Sequence, residues 1–166
     1  MHYFLLPLIP LTITGALFFK KDFMAYGLAI ALTAIKMWTT WISPVYFFIA
    51  ISLILLVCLI RRLHKTSKVS LVRAIVYTMI GVALFELITN FGVWLIGGRC
   101  LSMESRLYTF TFSGLTQTYQ AALPYALRHL AKAIPMTLFF VWGMERLKYQ
   151  SFISSSHSFS IHSKTV

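Results

Sequence analysis

The chain is poor in acidic residues and in charged residues of any kind. Only four of its 166 residues are Asp or Glu, and charged residues make up 11% of the sequence. Soluble domains carry roughly 25% charged residues, so this composition excludes a water-facing globular fold. With 58% hydrophobic residues and a mean hydropathy of +0.78, the sequence indicates an integral membrane protein whose solvent is the bilayer.

Cysteines and catalytic motifs are scarce as well. The two cysteines, Cys58 and Cys100, follow no metal-ligand spacing and build no disulfide framework. The H-E-x-x-H, G-x-S-x-G and nucleotide-binding Walker patterns do not occur. A membrane haem needs two facing histidines, and only His129 lies near an apolar segment. The sequence therefore predicts a protein that is not an enzyme and holds no cofactor or metal.

Long apolar segments are what the chain has in abundance. They predict an all-α membrane bundle of about six transmembrane helices, formed as a single domain by residues 1–148. The Ser-rich residues 149–166 are predicted to be a disordered tail. The six segments are residues 3–19, 23–41, 44–60, 71–95, 107–125 and 130–147.

Basic residues outnumber acidic ones and give a net charge of +11. In membrane proteins, Lys and Arg concentrate in cytoplasmic loops. The basic segments at residues 20–21, 61–68 and 128–132 fall on one side if the six segments alternate in direction. We therefore expect that side to be cytoplasmic and both termini to lie outside. The positive charge then faces anionic lipid headgroups of a bacterial inner membrane, and nucleic acid is not an expected partner.

Polar side chains form one face of the fourth segment. Glu86, Asn90 and Trp94 are four residues apart, and Thr89 lies beside them. A carboxylate inside an apolar segment is costly and therefore marks a functional site.

Lys36 is the other charged residue deep inside a segment. It lies at a depth similar to that of Glu86, about 20 Å from the cytoplasmic end at about 1.5 Å per residue. One hypothesis is an intramembrane Lys36–Glu86 ion pair, since such charges usually pair with each other. In the other, Lys36 extends its long side chain to the interface and Glu86 meets the polar end of a solute.

The fifth segment carries two glutamines on one face, Gln117 and Gln120. Lipid does not accommodate glutamine side chains, so we expect this face to turn inward and to line a polar cavity near the outer surface. Across the cavity, Thr89 and Asn90 are predicted to hydrogen-bond a solute, and Trp94 to stack on it. The alternative is that both polar faces only hold helices together.

Several stretches resemble one protein family. The runs T-N-F-x-V-W-L at residues 89–95 and Y-x-x-A-L-P at residues 119–124 resemble an uncharacterised family of small bacterial membrane proteins. That family is similar to substrate-binding (S) components of energy-coupling-factor type transporters. PLTITGALFF at residues 10–19 and VYFFIAISLILLVCLIRR at residues 45–62 resemble its early and middle spans. The resemblance covers most of the chain up to about residue 147.

The resemblance implies an S-component-like fold and a role in membrane transport. The chain would bind a small, vitamin-like solute for uptake, with energy supplied by a transmembrane coupling subunit and ATPases. Family members usually begin with a further hydrophobic segment, which this chain would lack. They tend to have an aromatic residue at the position of Glu86, a Ser-Asp pair near Lys36 and a Gly-Asp pair at Lys132 and Ala133. These departures leave the substrate open. The alternative function is a structural or assembly protein of the membrane that binds no solute.

Overall fold

The computed structural model describes residues 8–39, 43–64, 69–96 and 108–162, with side chains described up to residue 150 except that of Thr39. This part of the chain is all-α, as predicted, and forms five helices. The helices are α1 (Leu8–Phe18), α2 (Asp22–Thr39), α3 (Val45–Leu63), α4 (Leu71–Leu95) and α5 (Phe112–His162). Two of them, α3 and α4, are long and apolar enough to cross a membrane.

The predicted fifth and sixth segments form one continuous helix, α5, and the predicted break between them is wrong. That prediction relied on the basic residues from Arg128 to Lys132, which resemble a cytoplasmic loop. A proline removes one backbone N–H and bends a helix without always ending it, and α5 continues through both Pro124 and Pro135. The third predicted cytoplasmic loop is therefore helical, and α5 includes the first part of the Ser-rich segment, through His162.

The short helix α1 lies at the centre of the bundle. Ten of its eleven residues are buried, and it packs against each of the other four helices. A helix that is apolar on every side suits either a buried position or lipid, and α1 is apolar all round apart from its threonines. The structure places α1 in the buried position, with α2, α3, α4 and α5 around it.

One glycine allows three helices to meet closely. A Cβ atom at Gly81 of α4 would lie 3.2 Å from the Leu56 side chain of α3 and 3.3 Å from that of Ile9 in α1. Helices α3 and α4 also carry exposed apolar side chains, with Phe47 67% and Val72 70% accessible. Exposed apolar faces of this kind match lipid as a solvent and would be a liability in water.

Polar contacts fasten one end of the bundle. The Arg61 guanidinium at the end of α3 donates a hydrogen bond of 2.5 Å to the Phe19 carbonyl and lies 3.5 Å from Asp22 Oδ1. Lys148 of α5 lies 4.4 Å from the centroid of the Phe18 ring. We call this group, Phe18, Phe19, Asp22, Arg61 and Lys148, the basic end. It brings the α1–α2 turn and the end of α3 together, so the first two predicted basic segments begin on the same side.

Candidate functional site

A cavity of about 510 Å³ lies between α3, α4 and α5, at the end of the bundle opposite the basic end. Val45 and Ile49 of α3 form one side, and Tyr108 before α5 contributes another. The walls are mostly apolar and aromatic, with a few polar groups on α4 and α5. Both the volume and this composition are typical of sites for small molecules, which occupy clefts of about 300–1,000 Å³.

The polar part of the wall is one hydrogen-bonded cluster, Glu86, Asn90 and His129. The helical spacing of α4 places the Asn90 amide nitrogen 2.8 Å from the Glu86 carbonyl and 2.9 Å from Glu86 Oε2. His129 of α5 places Nδ1 2.6 Å from Glu86 Oε1. An ionised carboxylate only accepts hydrogen bonds, so His129 Nδ1 carries the shared proton when Glu86 is ionised. The cluster therefore links α4 to α5 across the cavity.

This cluster also explains how a carboxylate is tolerated inside an apolar helix. The Glu86 and His129 side chains are only 14% and 21% exposed. Removing a carboxylate from water costs several kcal/mol unless donors replace the lost hydration. The Asn90 amide and the His129 imidazole supply those donors to one oxygen each, so both carboxylate oxygens are satisfied by neighbouring side chains.

Two threonines in the cavity wall use their hydroxyl protons within their own helices. Thr89 Oγ1 donates to the Phe85 carbonyl at 2.7 Å, and Thr118 Oγ1 donates to the Gly114 carbonyl at 2.8 Å. Such bonds to the preceding turn are the usual way in which an apolar helix accommodates threonine. The lone pairs of each hydroxyl oxygen remain as acceptors.

Comparison with known proteins assigns the chain to a family. The model of the family of unknown function DUF6580 matches residues 2–155. The chain belongs to DUF6580. Curated proteins give no match, and neither do solved structures. The predicted membership of an uncharacterised family is thereby confirmed for this DUF6580 protein.

Three of the six predicted solute-binding residues line the cavity of this DUF6580 protein: Glu86, Thr89 and Asn90. Gln117 and Gln120 are exposed on α5 and lie outside the cavity lining. The inward face of α5 is formed instead by Thr118 and its helical neighbours, because α5 is turned so that smaller side chains pack toward α4.

Trp94 also lies outside the cavity lining and has a structural partner. Its ring stacks on Phe110 with centroids 4.5 Å apart, and its indole N–H donates to the Thr109 carbonyl at 3.1 Å. Trp94 therefore fastens the segment that leads into α5 to the end of α4.

The Lys36–Glu86 ion pair stays a prediction. Lys36 is buried on α2 with 6% exposure, and α2 packs against α1 and α3. The contacts that the structure gives Glu86 are those with Asn90 and His129.

The residues that sequence reasoning missed are on α5, above all His129 and Tyr125. They share a face with Thr118 and Ala122, at steps of four, three and four residues, and all four line the cavity. That spacing is visible in the sequence only if the helix is continued past residue 125. The predicted break between residues 125 and 130 placed His129 in a loop and hid the partner of Glu86.

Proposed function

We propose that this DUF6580 protein is a multi-pass protein of the bacterial inner membrane that binds a small solute in the cavity between α3, α4 and α5. One observation carries the proposal: a cavity of about 510 Å³ has apolar walls and a single hydrogen-bonded polar cluster. Sites for small molecules combine these two properties, because the apolar wall supplies contact area and a few polar groups fix orientation.

The position of the cavity in the bundle suits the capture of a solute from outside the cell. The cavity and the basic end lie at opposite ends of α3, beside Val45 and Ile49 at its start and Arg61 at its end. By the positive-inside rule the basic end is cytoplasmic, so the cavity faces the outer half of the membrane. A solute from outside would reach Glu86, Asn90 and His129 first, before the packed half of the bundle around α1.

We further propose that the protein serves as the substrate-binding component of an uptake system. Support comes from the resemblance of residues 89–95 and 119–124 to a family of small bacterial membrane proteins that is itself similar to S components of energy-coupling-factor type transporters. The sequence contains no Walker pattern, so energy for release to the cytoplasm would come from a transmembrane coupling subunit and ATPases. The solute would be of vitamin size, which the cavity volume accommodates.

Solute capture tests the proposal directly. The protein is purified in lipid nanodiscs, incubated with a cell extract, washed and analysed by native mass spectrometry. We expect one reproducible small molecule whose occupancy falls about tenfold or more in Asn90→Leu, because leucine removes the amide that holds Glu86 and offers an acceptor to the solute. Thr116→Leu is the matched control, since Thr116 is exposed on α5 away from the cavity.

A structural or assembly role is the competing function. The Glu86–His129 contact would then serve only to hold α4 against α5, as interhelical hydrogen bonds commonly do. Retention of lipid alone, with no difference between Asn90→Leu and Thr116→Leu, would overturn solute binding and support this role.

A further inference from the structure

We infer that the cavity takes a small organic cation, a protonated amine or amidine carried on a flat ring. The inference rests on the proposed solute binding and specifies the chemical class of the solute. Three properties of the cavity wall support it: the hydrogen bonds that its polar groups already make, the charges of those groups, and its aromatic rings.

Asn90, Thr89 and Thr118 present hydrogen-bond acceptors to the cavity, beside the tyrosine hydroxyls, which can donate or accept. Both donated bonds of the Asn90 amide nitrogen go to Glu86, which leaves the amide oxygen for a solute. The hydroxyl protons of Thr89 and Thr118 go to carbonyls of their own helices, which leaves their lone pairs. A solute rich in donors fits such a wall, whereas a solute rich in acceptors would leave buried acceptors on both sides unpaired.

The charged groups of the cavity wall also favour a cationic solute. The lining residues that the structure describes include one carboxylate, Glu86, and no Lys or Arg. His129 donates through Nδ1 to that carboxylate, so in the neutral imidazole Nε2 is a further acceptor. With the imidazole neutral, an anionic solute would approach Glu86 with no cation in the described lining opposite to it, and repulsion between like charges is stronger at a carboxylate that is only 14% exposed than in water. An ammonium or amidinium group would instead add donors to the same carboxylate.

Aromatic rings supply the remaining recognition. Phe85, Tyr108 and Tyr125 line the cavity on three different parts of the chain. A cation over an aromatic face is attracted to the ring, and flat rings stack on such walls. A bare metal ion fits poorly, since the described residues include no group of three His, Cys, Asp or Glu side chains that could hold one. The volume of about 510 Å³ suits an organic molecule.

Three probes that share one ring are used to test the inference. Their binding to the protein in zwitterionic nanodiscs is measured by equilibrium dialysis, and the binding to empty nanodiscs is subtracted. Tryptamine is cationic, tryptophol neutral and indolepropionate anionic. We expect tryptamine to bind about tenfold or more tighter than tryptophol, and indolepropionate to bind most weakly. Glu86→Gln keeps the size of the side chain and should reduce tryptamine affinity about tenfold without changing tryptophol affinity. Glu145→Gln removes a carboxylate far along α5 and should change neither.

The possible outcomes separate the class of the solute from the proposed function. If indolepropionate binds as tightly as tryptamine, or if Glu86→Gln leaves tryptamine binding unchanged, the inferred class is overturned while solute binding stands. The charge of a molecule captured from extract decides independently: a cation supports the inference, and a neutral or anionic molecule overturns it. No probe binding combined with an empty cavity after incubation with extract overturns both.

Discussion

The two halves of α4 differ in what they face. In the first half, Ala74, Thr78 and Gly81 are buried against α1 and α3, closely enough that Gly81 touches side chains of both. In the second half, Glu86 and Asn90 open onto a cavity. Both halves are apolar in composition, and the helix is continuous. The neighbours make the difference, because the central helix α1 packs along the first half whereas α3 and α5 enclose a space along the second.

This contrast separates the part of the helix that stabilises the bundle from the part that can bind. In lipid, helices associate through close packing and hydrogen bonds, since burial from water contributes little between them. Small residues allow close packing at Gly81 in the first half and at Gly92, against Phe48, in the second. The Glu86–His129 hydrogen bond joins α4 to α5 beside the cavity. A site for a solute can exist only where packing is incomplete.

The largest effect should come from filling the packed half. Gly81→Val places methyl groups against Leu56 and Ile9, where a single Cβ atom would already lie 3.2–3.3 Å away. Overpacking of this kind costs about 1–3 kcal/mol, occasionally more, so the free energy of unfolding in nanodiscs should fall by about 3 kcal/mol. Gly27→Val is the matched control because no atom lies within 4 Å of its Cβ position. Equal losses in both variants would contradict close packing at Gly81.

A smaller loss is expected in the open half. Glu86→Leu leaves the His129 imidazole and one N–H of the Asn90 amide without their carboxylate acceptor, which costs about 2 kcal/mol for partly buried donors. Adding His129→Leu removes one of the donors that have lost their acceptor, so the double variant should recover part of the lost free energy of unfolding. A double-mutant cycle followed by denaturant unfolding measures this coupling. Strict additivity of the two single changes would show that the contact does not fasten α4 to α5.

The polar contacts of the basic end should contribute less to the free energy of unfolding than the Glu86–His129 contact. Arg61→Leu removes the hydrogen bond to the Phe19 carbonyl and the contact with Asp22. Because Asp22 is exposed, the ion pair adds little, and we expect a loss of about 1 kcal/mol, mainly from the hydrogen bond. Arg62→Leu, at the neighbouring exposed position, should lie within about 0.5 kcal/mol of the parent protein. A larger loss in Arg62→Leu would show that charge at the membrane surface, rather than this contact, stabilises the end.

The smallest expected effect is a dependence on pH at the basic end. The pKa of His64 lies below its ordinary value of 6.5. The main cause is burial of the imidazole, and the positive charges of Arg73, Lys148 and Arg61 add to it. The unfolded chain therefore binds the proton more readily, and the contribution of His64 to stability is present above pH 6.5 and is lost as the pH falls through 6.5 toward the folded-state pKa. Tm should fall between about pH 7.5 and about pH 5.5, and less so in His64→Gln. An unchanged slope in His64→Gln would assign the pH dependence to another group.

The sequence predicted the candidate site in part, and the reason differs from residue to residue. Glu86 and Asn90 were predicted together because they lie one turn apart on a helix whose ends are clear in the sequence. His129 was missed because it lies among basic residues that were predicted to form a cytoplasmic loop. Gln117 and Gln120 were predicted to face inward from their polarity alone, yet they lie on the exposed side of α5. Polarity does not specify how a helix is rotated about its axis.

The sequence by itself determined that the described chain is all-α, where α4 begins and ends, and that Glu86 and Asn90 share one face of it. These features depend on composition and on a spacing of about 3.6 residues per turn, which are local properties of the chain. Only the tertiary structure decided that α5 is one helix, that its Thr118 face turns toward α4, and that Glu86 meets a histidine 43 residues away. Those features depend on how helices pack around α1, and packing is a property of the whole bundle.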